Sequence, residues 1–133
     1  MEGVQKMKFN NEYNTDRSFL YGRLISVYEA YEHLYMEGFI GYAFNNFEKI
    51  KKRPESYLIQ LEKEKLNISR FILKKDTESY NILEEELQNI KKLISDKFDT
   101  RSEEYGKSLG PGYIFGYEAE NRDVINAGVK LFE

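Results

Sequence analysis

The chain contains no cysteine, no tryptophan, one histidine and two prolines. Without cysteine it cannot form a disulfide, a thiolate zinc site or an iron–sulfur cluster, and it has no cysteine nucleophile. A serine protease-like triad would have to use His33, and the G-x-S-x-G turn of serine hydrolases is absent. The phosphate-binding patterns G-x-x-x-x-G-K-[ST] and G-x-G-x-x-G are absent as well. We therefore expect a non-enzymatic protein without a cofactor.

Long apolar runs are also missing. No stretch approaches the roughly 18 residues that a membrane-spanning helix requires, and the first residues do not resemble a signal peptide. The lack of cysteine is compatible with a reducing compartment. The sequence predicts a cytoplasmic protein with no membrane partner.

The composition is that of a folded protein. The 133 residues fit one domain, and 41% of them are hydrophobic and 15% aromatic, including eleven tyrosines. Many tyrosines suit half-buried positions, where the ring packs on the core and the hydroxyl reaches the surface or a partner. A/T-rich codon usage would produce the same enrichment in tyrosine. The tyrosine content alone therefore does not show that these side chains contact a partner.

Apolar residues recur every three or four positions, which is typical of helices that pack on one face. We predict an all-α fold, a compact bundle of four to five helices over residues 15–133, after a flexible arm at 1–14. The predicted stripes are Leu20, Leu24, Val27, Tyr31 and Leu34 for the first helix (16–37), beside Tyr21, Tyr28 and Tyr35; Ile40, Ala43, Phe44 and Phe47 for a short second helix; Leu58, Leu61, Lys65, Ile68 and Ile72 for the third; Tyr80, Leu83, Leu87, Ile90 and Ile94 for the fourth; and Tyr113, Tyr117, Val124 and Ile125 for the last.

Residues with special backbone preferences mark the predicted helix ends. Gly38 is the predicted C-cap of the first helix, and Pro54 is expected in the first turn of the third. Asp76 or Thr77 can cap the fourth helix. Residues 113–117 are predicted to begin the last helix, although they can also be read as a short strand.

Charge is distributed unevenly along a chain whose net charge is −3. Residues 49–75 hold nine basic and three acidic side chains, whereas residues 76–104 hold nine acidic and four basic ones. The predicted nucleic-acid-binding residues are Lys49, Lys51, Lys52, Arg53, Lys63, Lys65, Arg70, Lys74 and Lys75. A basic stripe on a helix can follow a phosphate backbone without reading its sequence. The same charge pattern is compatible with a solvated face with i,i+4 ion pairs and with basic-to-acidic docking between copies of the chain.

Two glycines and an arginine fall inside predicted helices. A glycine in a helix interior costs about 1 kcal/mol relative to alanine. Gly22 and Gly116 are therefore expected to let another element approach closely. Arg23 can contact phosphate or form a structural ion pair with Glu29 or Glu120, and we favour the ion pair.

Glu29, His33 and Glu37 are spaced four residues apart and share one helical face, where they could bind a divalent metal. A second helix would have to supply further ligands. A ferritin-like site needs Glu-x-x-His on two helices, and one histidine cannot complete it. We therefore predict a solvated face and no metal site.

Two segments about eighty residues apart carry a family resemblance. The first matches the pattern Y-L-x-G-R-L-x-A-V-x-E at Gly22, Arg23, Leu24, Val27 and Glu29. The second matches K-P-L-s-x-x-F-L-L-G-Y at Lys107, Leu109, Tyr113, Gly116 and Tyr117, and Arg53-Pro54 lies where the family often has R-P. The order and spacing of these segments, over roughly residues 16–122, resemble the C-terminal portion of the large subunit of the type I-C CRISPR Cascade complex, which also exists separately as its small subunit.

The resemblance implies a non-catalytic subunit of an RNA-guided surveillance complex. Small subunits of this family are thought to line the inner face of the complex, where the displaced DNA strand and the guide–target duplex run. The implied partners are the Cascade large and backbone subunits with guide RNA, target DNA and especially its non-target strand, and further copies of the chain. The predicted basic residues would then stabilise the R-loop without reading sequence. A separately translated subunit and a piece of the large subunit would look alike.

Three alternatives remain at the level of the sequence. The chain could be the equivalent small subunit of another type I subtype. It could be a helical adaptor, or a phage-encoded mimic of such a subunit, that binds protein and not DNA. A metal-dependent helical-bundle enzyme is the third alternative, and it would require His33.

Overall fold

The computed structural model describes residues 16–36 and 41–130, and within these ranges the chain forms helices and no β-strand. The helices are α1 (Arg17–Tyr35), α2 (Tyr42–Asn45), α3 (Phe47–Lys52), α4 (Leu58–Lys75), α5 (Thr77–Lys97) and α6 (Gly112–Asn126), and a 3₁₀ turn at Pro54–Tyr57 precedes α4. The prediction of an all-α bundle is confirmed. The arm predicted at 1–14 and the C-cap predicted at Gly38 lie outside the described residues.

The central element is α1, in which sixteen of nineteen residues are buried. Helices α4, α5 and α6 all pack against it. A helix surrounded in this way is expected to be apolar on every side. The apolar stripe predicted for it is buried, but so are Arg23, Glu29 and Glu32. Since buried charged groups require partners, these three side chains determine much of the chemistry inside the bundle.

Helices α1 and α6 approach each other at two glycines. A Cβ atom on Gly22 would lie 2.0 Å from the carbonyl oxygen of Tyr113, and one on Gly116 would lie 2.1 Å from the carbonyl oxygen of Phe19. Each glycine therefore lets the backbone of the other helix occupy the space of a side chain. The prediction that both glycines permit a close approach is confirmed.

Two aspartates begin the long helices. Asp16 caps α1 by accepting a hydrogen bond from the backbone N–H of Phe19, and Asp76 caps α5 by accepting one from Ser79. Of the two predicted caps for α5, Asp76 is the one used. Such caps satisfy N–H groups that have no partner within the helix.

Several predicted boundaries were wrong. α1 ends at Tyr35 and not at Glu37, with Met36 as its C-cap. The predicted short helix is interrupted at Asn46, and Pro54 begins a 3₁₀ turn, so that α4 itself starts at Leu58. Proline fixes φ, but it does not decide whether the following turn is 3₁₀ or α.

The last helix also differs from its prediction in one position. Residues 113–117 lie within α6, so the alternative of a short strand was wrong. Val124 is completely buried, but Ile125 is 46% exposed. Adjacent residues in a helix point about 100° apart, and this turn carries Ile125 from the buried side of α6 into solvent. Ile125 belongs to the outer face of α6.

Candidate nucleic-acid interface

The structure separates the nine predicted basic residues by exposure. Seven are exposed, namely Lys49, Lys52, Arg53, Lys63, Arg70, Lys74 and Lys75. Lys51 is half-buried, and Lys65 is only 4% exposed. Eight of the nine therefore keep some contact with solvent, and they belong to two parts of the chain, the end of α3 and the length of α4.

Three of the exposed residues on α4 form a row. Lys63, Arg70 and Lys74 are spaced seven and four residues apart, which places them on one side of the helix, and Asn67 falls between them on the same side. At 1.5 Å per residue the row from Lys63 to Lys74 extends about 16 Å. We call these four residues the α4 basic row. Sequence reasoning missed Asn67, although its i,i+4 spacing from Lys63 could have indicated it.

Every side chain of the α4 basic row can donate hydrogen bonds. Lysine and arginine are donors only, and the asparagine amide supplies two further N–H groups. The guanidinium of Arg70 also lies 5.0 Å from the ring centre of Phe71, which is 47% exposed. The row can therefore bind several anionic oxygens in succession, as phosphate groups of a nucleic-acid backbone present them.

The second basic group lies in the last turn of α3 and at its C-cap. Lys49, Lys52 and Arg53 are exposed there. The loop before α6 holds this part of the chain, because the backbone N–H of Leu109 donates to the carbonyl of Lys51 at 2.7 Å and the hydroxyl of Ser108 donates to that of Lys52 at 3.2 Å. The basic side chains at the end of α3 thus project from a backbone tied to another segment.

Lys65 was wrongly assigned to the interface. Its ammonium donates to Glu84 at 2.9 Å, lies 3.2 Å from Glu62 and lies 5.3 Å from the ring centre of Tyr31. Burial lowers the pKa of Lys65, but the hydrogen bond to Glu84 and the charge of Glu62 outweigh burial, so the pKa lies above its usual value. The side chain stays charged and joins α4 to α5, where it cannot reach a nucleic acid.

The acidic run at 84–86 does not form an acidic surface. Glu84 is half-buried and accepts hydrogen bonds from Tyr31 at 2.6 Å and from Lys65. Glu85 is exposed, and Glu86 is 3% exposed inside the bundle. Successive helical residues point in different directions, so three glutamates in a row reach three different environments. This weakens the prediction of basic-to-acidic docking between copies through this run.

Arg23 lies in a buried ionic cluster. Its Nε donates to Glu120 at 2.9 Å and its Nη2 to Glu86 at 3.0 Å, and all three side chains are at most 3% exposed. The predicted ion pair with Glu120 is confirmed, and a phosphate contact is excluded by burial. Glu29, the other predicted partner, accepts a hydrogen bond from the hydroxyl of Tyr117.

Two carboxyl groups share one guanidinium in this cluster. Burial raises the pKa of Glu120 well above its usual value, and the neighbouring carboxyl of Glu86 raises it further, against the lowering effect of Arg23. Two carboxylates close together cannot both ionise easily in a buried site. The cluster therefore favours one proton shared by the two carboxyl groups. The remaining negative charge balances the positive charge of Arg23, so the cluster as a whole is close to neutral.

The structure describes two of the three candidate metal ligands. Glu37 lies outside the described residues, and the carboxylate of Glu29 lies 3.9 Å from Nε2 of His33. Within residues 16–36 and 41–130, no group of three or more histidine, aspartate or glutamate side chains could hold a metal ion.

A groove of about 490 Å³ lies between α1, α4 and α5. Leu24, Ile94 and Phe98 contribute apolar surface to it. At its edge the hydroxyl of Tyr28 donates to Glu62 at 3.0 Å, and Lys91 lies 3.3 Å from the same glutamate. Because these three polar groups bind one another and the other named lining residues are apolar, this part of the groove suits an apolar group more than a reacting substrate.

Glu32 holds α2 against α1. Its Oε2 accepts a hydrogen bond from the backbone N–H of Ala43 at 3.1 Å, and the absence of a side chain at Gly41 makes room for its carboxyl. Burial raises the pKa of Glu32 to about 7, and the charge of Glu29 adds to this against the backbone hydrogen bonds, which lower it. The folded protein therefore holds a proton here that an unfolded chain, with an ordinary glutamate, would release between about pH 4.5 and 7.

The raised pKa of Glu32 predicts a pH-dependent stability. The contribution of this group is fully present below about pH 4.5 and is lost as the pH rises through 7. Glu32→Gln keeps an acceptor for the Ala43 N–H without a charge. We expect the free energy of unfolding of this variant to match that of the parent at pH 4 and to exceed it by on the order of 2 kcal/mol at pH 8.5, in urea titrations at each pH. A variant whose advantage does not grow with pH would contradict this assignment.

The exposed residue Glu85 supplies the control for this experiment. Glu85→Gln removes the same charge from the surface of α5, where water solvates the carboxylate in the folded and the unfolded chain. Its stability relative to the parent should show little dependence on pH.

The two segments of the family resemblance meet in the structure. Gly22 lies against the backbone of Tyr113, and Glu29 binds the hydroxyl of Tyr117. Their matched spacing therefore corresponds to one helix–helix contact, that between α1 and α6.

Within the described residues, no helix is both long and apolar enough to cross a membrane. No protein-family model matches the sequence, and no curated protein or solved structure is significantly similar to it.

Proposed function

We propose that this protein is a non-catalytic small subunit of an RNA-guided, type I-C-like Cascade complex, in which it stabilises the R-loop through the displaced non-target strand. The observation that carries the proposal is the α4 basic row, with Lys63, Arg70 and Lys74 exposed along one side of a long helix. The resemblance of the two segments that form the α1–α6 contact supports the assignment to this class of complex.

The proposed contacts are electrostatic and independent of sequence. Each phosphate that a lysine or arginine neutralises releases a counterion, which makes the affinity strongly dependent on salt. One row on a chain with a net charge of −3 binds only weakly by itself. Its effect becomes large when the large and backbone subunits and guide RNA hold the strand and several copies lie along it. The cytoplasm is the compartment in which such a complex would act.

Reversing the charge of the α4 basic row should weaken DNA binding by the assembled complex. We expect Lys63→Glu, Arg70→Glu and Lys74→Glu together to raise the dissociation constant for target double-stranded DNA by roughly 10- to 100-fold at moderate salt. The slope of log K against log salt should become shallower by about 2, since single strands contribute about 0.7 for each phosphate contact. The measurement is DNA binding by a guide-loaded type I-C complex at several salt concentrations.

The matched control reverses three exposed lysines elsewhere, Lys92, Lys97 and Lys130. It changes the net charge by the same amount, so a general electrostatic effect would weaken binding equally in both variants. Equal losses, or no loss from the row, would refute the α4 basic row as the interface. Failure of the parent chain to assemble with the other subunits would refute the assignment to Cascade.

Exposed apolar side chains on α4 favour the alternative of a protein-binding adaptor or mimic. Ile59 is 74% exposed, Leu66 is 60% exposed and Leu73 is 39% exposed, and their seven-residue spacing places them in a second row on the solvent side of α4. Contiguous exposed apolar groups often mark protein contacts. Ile59→Ser with Leu66→Ser should then abolish assembly with a protein partner, whereas the charge reversals should leave assembly intact.

A further inference from the structure

The outer face of α6 carries a second exposed surface that is distinct from α4. Ile114 is 42% exposed, Phe115 is 63% exposed and Ile125 is 46% exposed. Glu118 and Arg122 are exposed on the same side of the helix. The opposite side packs on α1 through Gly116 and its neighbours. Three large apolar side chains thus stand in solvent around one acidic and one basic residue.

Four of the five residues of this surface are placed symmetrically about position 120, and the exception is Ile114, whose counterpart is Asn126. Phe115 and Ile125 lie five residues before and after that position, and Glu118 and Arg122 lie two residues before and after it. A twofold axis through the middle of α6 would therefore bring each of these four residues opposite its counterpart in an antiparallel copy. Phe115 would face Ile125 of the second copy, and Glu118 would face Arg122, each pair occurring twice.

We propose that α6 is an isologous docking surface for a second copy of this chain, with the two α6 helices antiparallel. Charge complementarity selects this partner, because both opposite-charge pairs and both apolar pairs form in the same register. A parallel arrangement would place Glu118 against Glu118 and Arg122 against Arg122, which is repulsive. The α6 surface is independent of the proposed contacts to DNA, which lie on a different helix.

The dimensions of α6 determine how tight the dimer should be. Fifteen residues form a helix about 22 Å long, so a contact confined to this helix lies near the low end of specific interfaces. We expect a dimer dissociation constant of roughly ten to a few hundred micromolar, so the proportion of monomer and dimer should change with protein concentration in this range. Sedimentation equilibrium of the full chain over this range measures it.

Charge reversal tests the register. Glu118→Arg places arginine against Arg122 in both symmetry-related pairs, and Arg122→Glu places two glutamates together in both. Either change should raise the dimer dissociation constant roughly tenfold, whereas the double variant E118R/R122E should restore the parent value. K92E/D96K, which exchanges the exposed pair Lys92–Asp96 on α5, should have no effect. A monomer at every concentration, or a double variant no tighter than the single ones, would overturn the proposal.

Cysteine cross-linking tests the orientation, since the chain has no cysteine of its own. In the antiparallel dimer, residue 115 lies opposite residue 125 of the other copy and about 15 Å along the helix from residue 115 of that copy. A short bismaleimide should therefore join an equimolar mixture of F115C and I125C proteins and should join neither protein alone. Efficient cross-linking of F115C with itself would show a different arrangement and would refute the antiparallel register.

Discussion

Gly22→Ala is expected to destabilise the protein by about 3 kcal/mol or more. The new Cβ would lie 2.0 Å from the carbonyl oxygen of Tyr113 and 2.7 Å from the backbone nitrogen of Tyr117. These are backbone atoms of α6 and cannot rotate away, so the two helices would have to separate. Alanine would otherwise favour the helical conformation by about 1 kcal/mol, so the expected sign is opposite to that of helix propensity.

Urea denaturation followed by circular dichroism measures this effect. Gly116→Ala should behave in the same way, because its Cβ would lie 2.1 Å from the carbonyl oxygen of Phe19. Gly110→Ala is the control, since its Cβ would make an ordinary contact, 3.6 Å from the hydroxyl of Ser18. A Gly22→Ala protein as stable as the parent would mean that α1 and α6 do not approach this closely.

Removal of Arg23 is the second change with a large expected effect. Arg23→Met leaves Glu86 and Glu120 in the core without their cation, at 3% and 0% exposure. Removing one partner of a buried ion pair lowers the free energy of unfolding by about 3–5 kcal/mol, because the remaining charge is neither solvated nor paired. The loss should be larger at pH 8 than at pH 5, since protonation of the carboxyl pair relieves it.

A triple replacement distinguishes burial of charge from simple loss of packing. Arg23→Met combined with Glu86→Leu and Glu120→Leu removes all three charged groups. Buried ion clusters can often be exchanged for apolar side chains of similar volume at little cost. The triple variant should recover most of the stability that Arg23→Met loses, and its stability should depend less on pH. A triple variant less stable than the single one would contradict an electrostatic origin of the loss.

Periodicity was sufficient to predict the helices. The apolar stripes of α1, α4 and α5 were correct because side chains three and four residues apart share a helical face, and this is a local property of the chain. Helix ends were less predictable. α1 stops at Tyr35 and α4 begins after a 3₁₀ turn, since the energies that decide such ends are small and depend on neighbouring elements.

The candidate interface was only partly predictable. Lys63 and Lys65 are equivalent by charge alone, but two positions along a helix turn the side chain by about 200°. Lys63 is exposed, whereas Lys65 lies between Glu62, Glu84 and Tyr31. The predicted third stripe already included Lys65, so periodicity placed it on the inner face. Only the packing of α5 against α4 showed which groups neutralise it.

The sequence by itself determined that the chain forms an α-helical bundle, which helix faces are apolar and where its positive charge is concentrated. These properties follow from the order of residues along each helix. The tertiary structure decided which charges are buried, for Arg23 lies 63 and 97 residues from the glutamates that bind it. It also decided that Gly22 and Gly116 face α6 and α1, and that Phe115 and Ile125 face solvent. Such pairings depend on how helices dock, which no local pattern encodes.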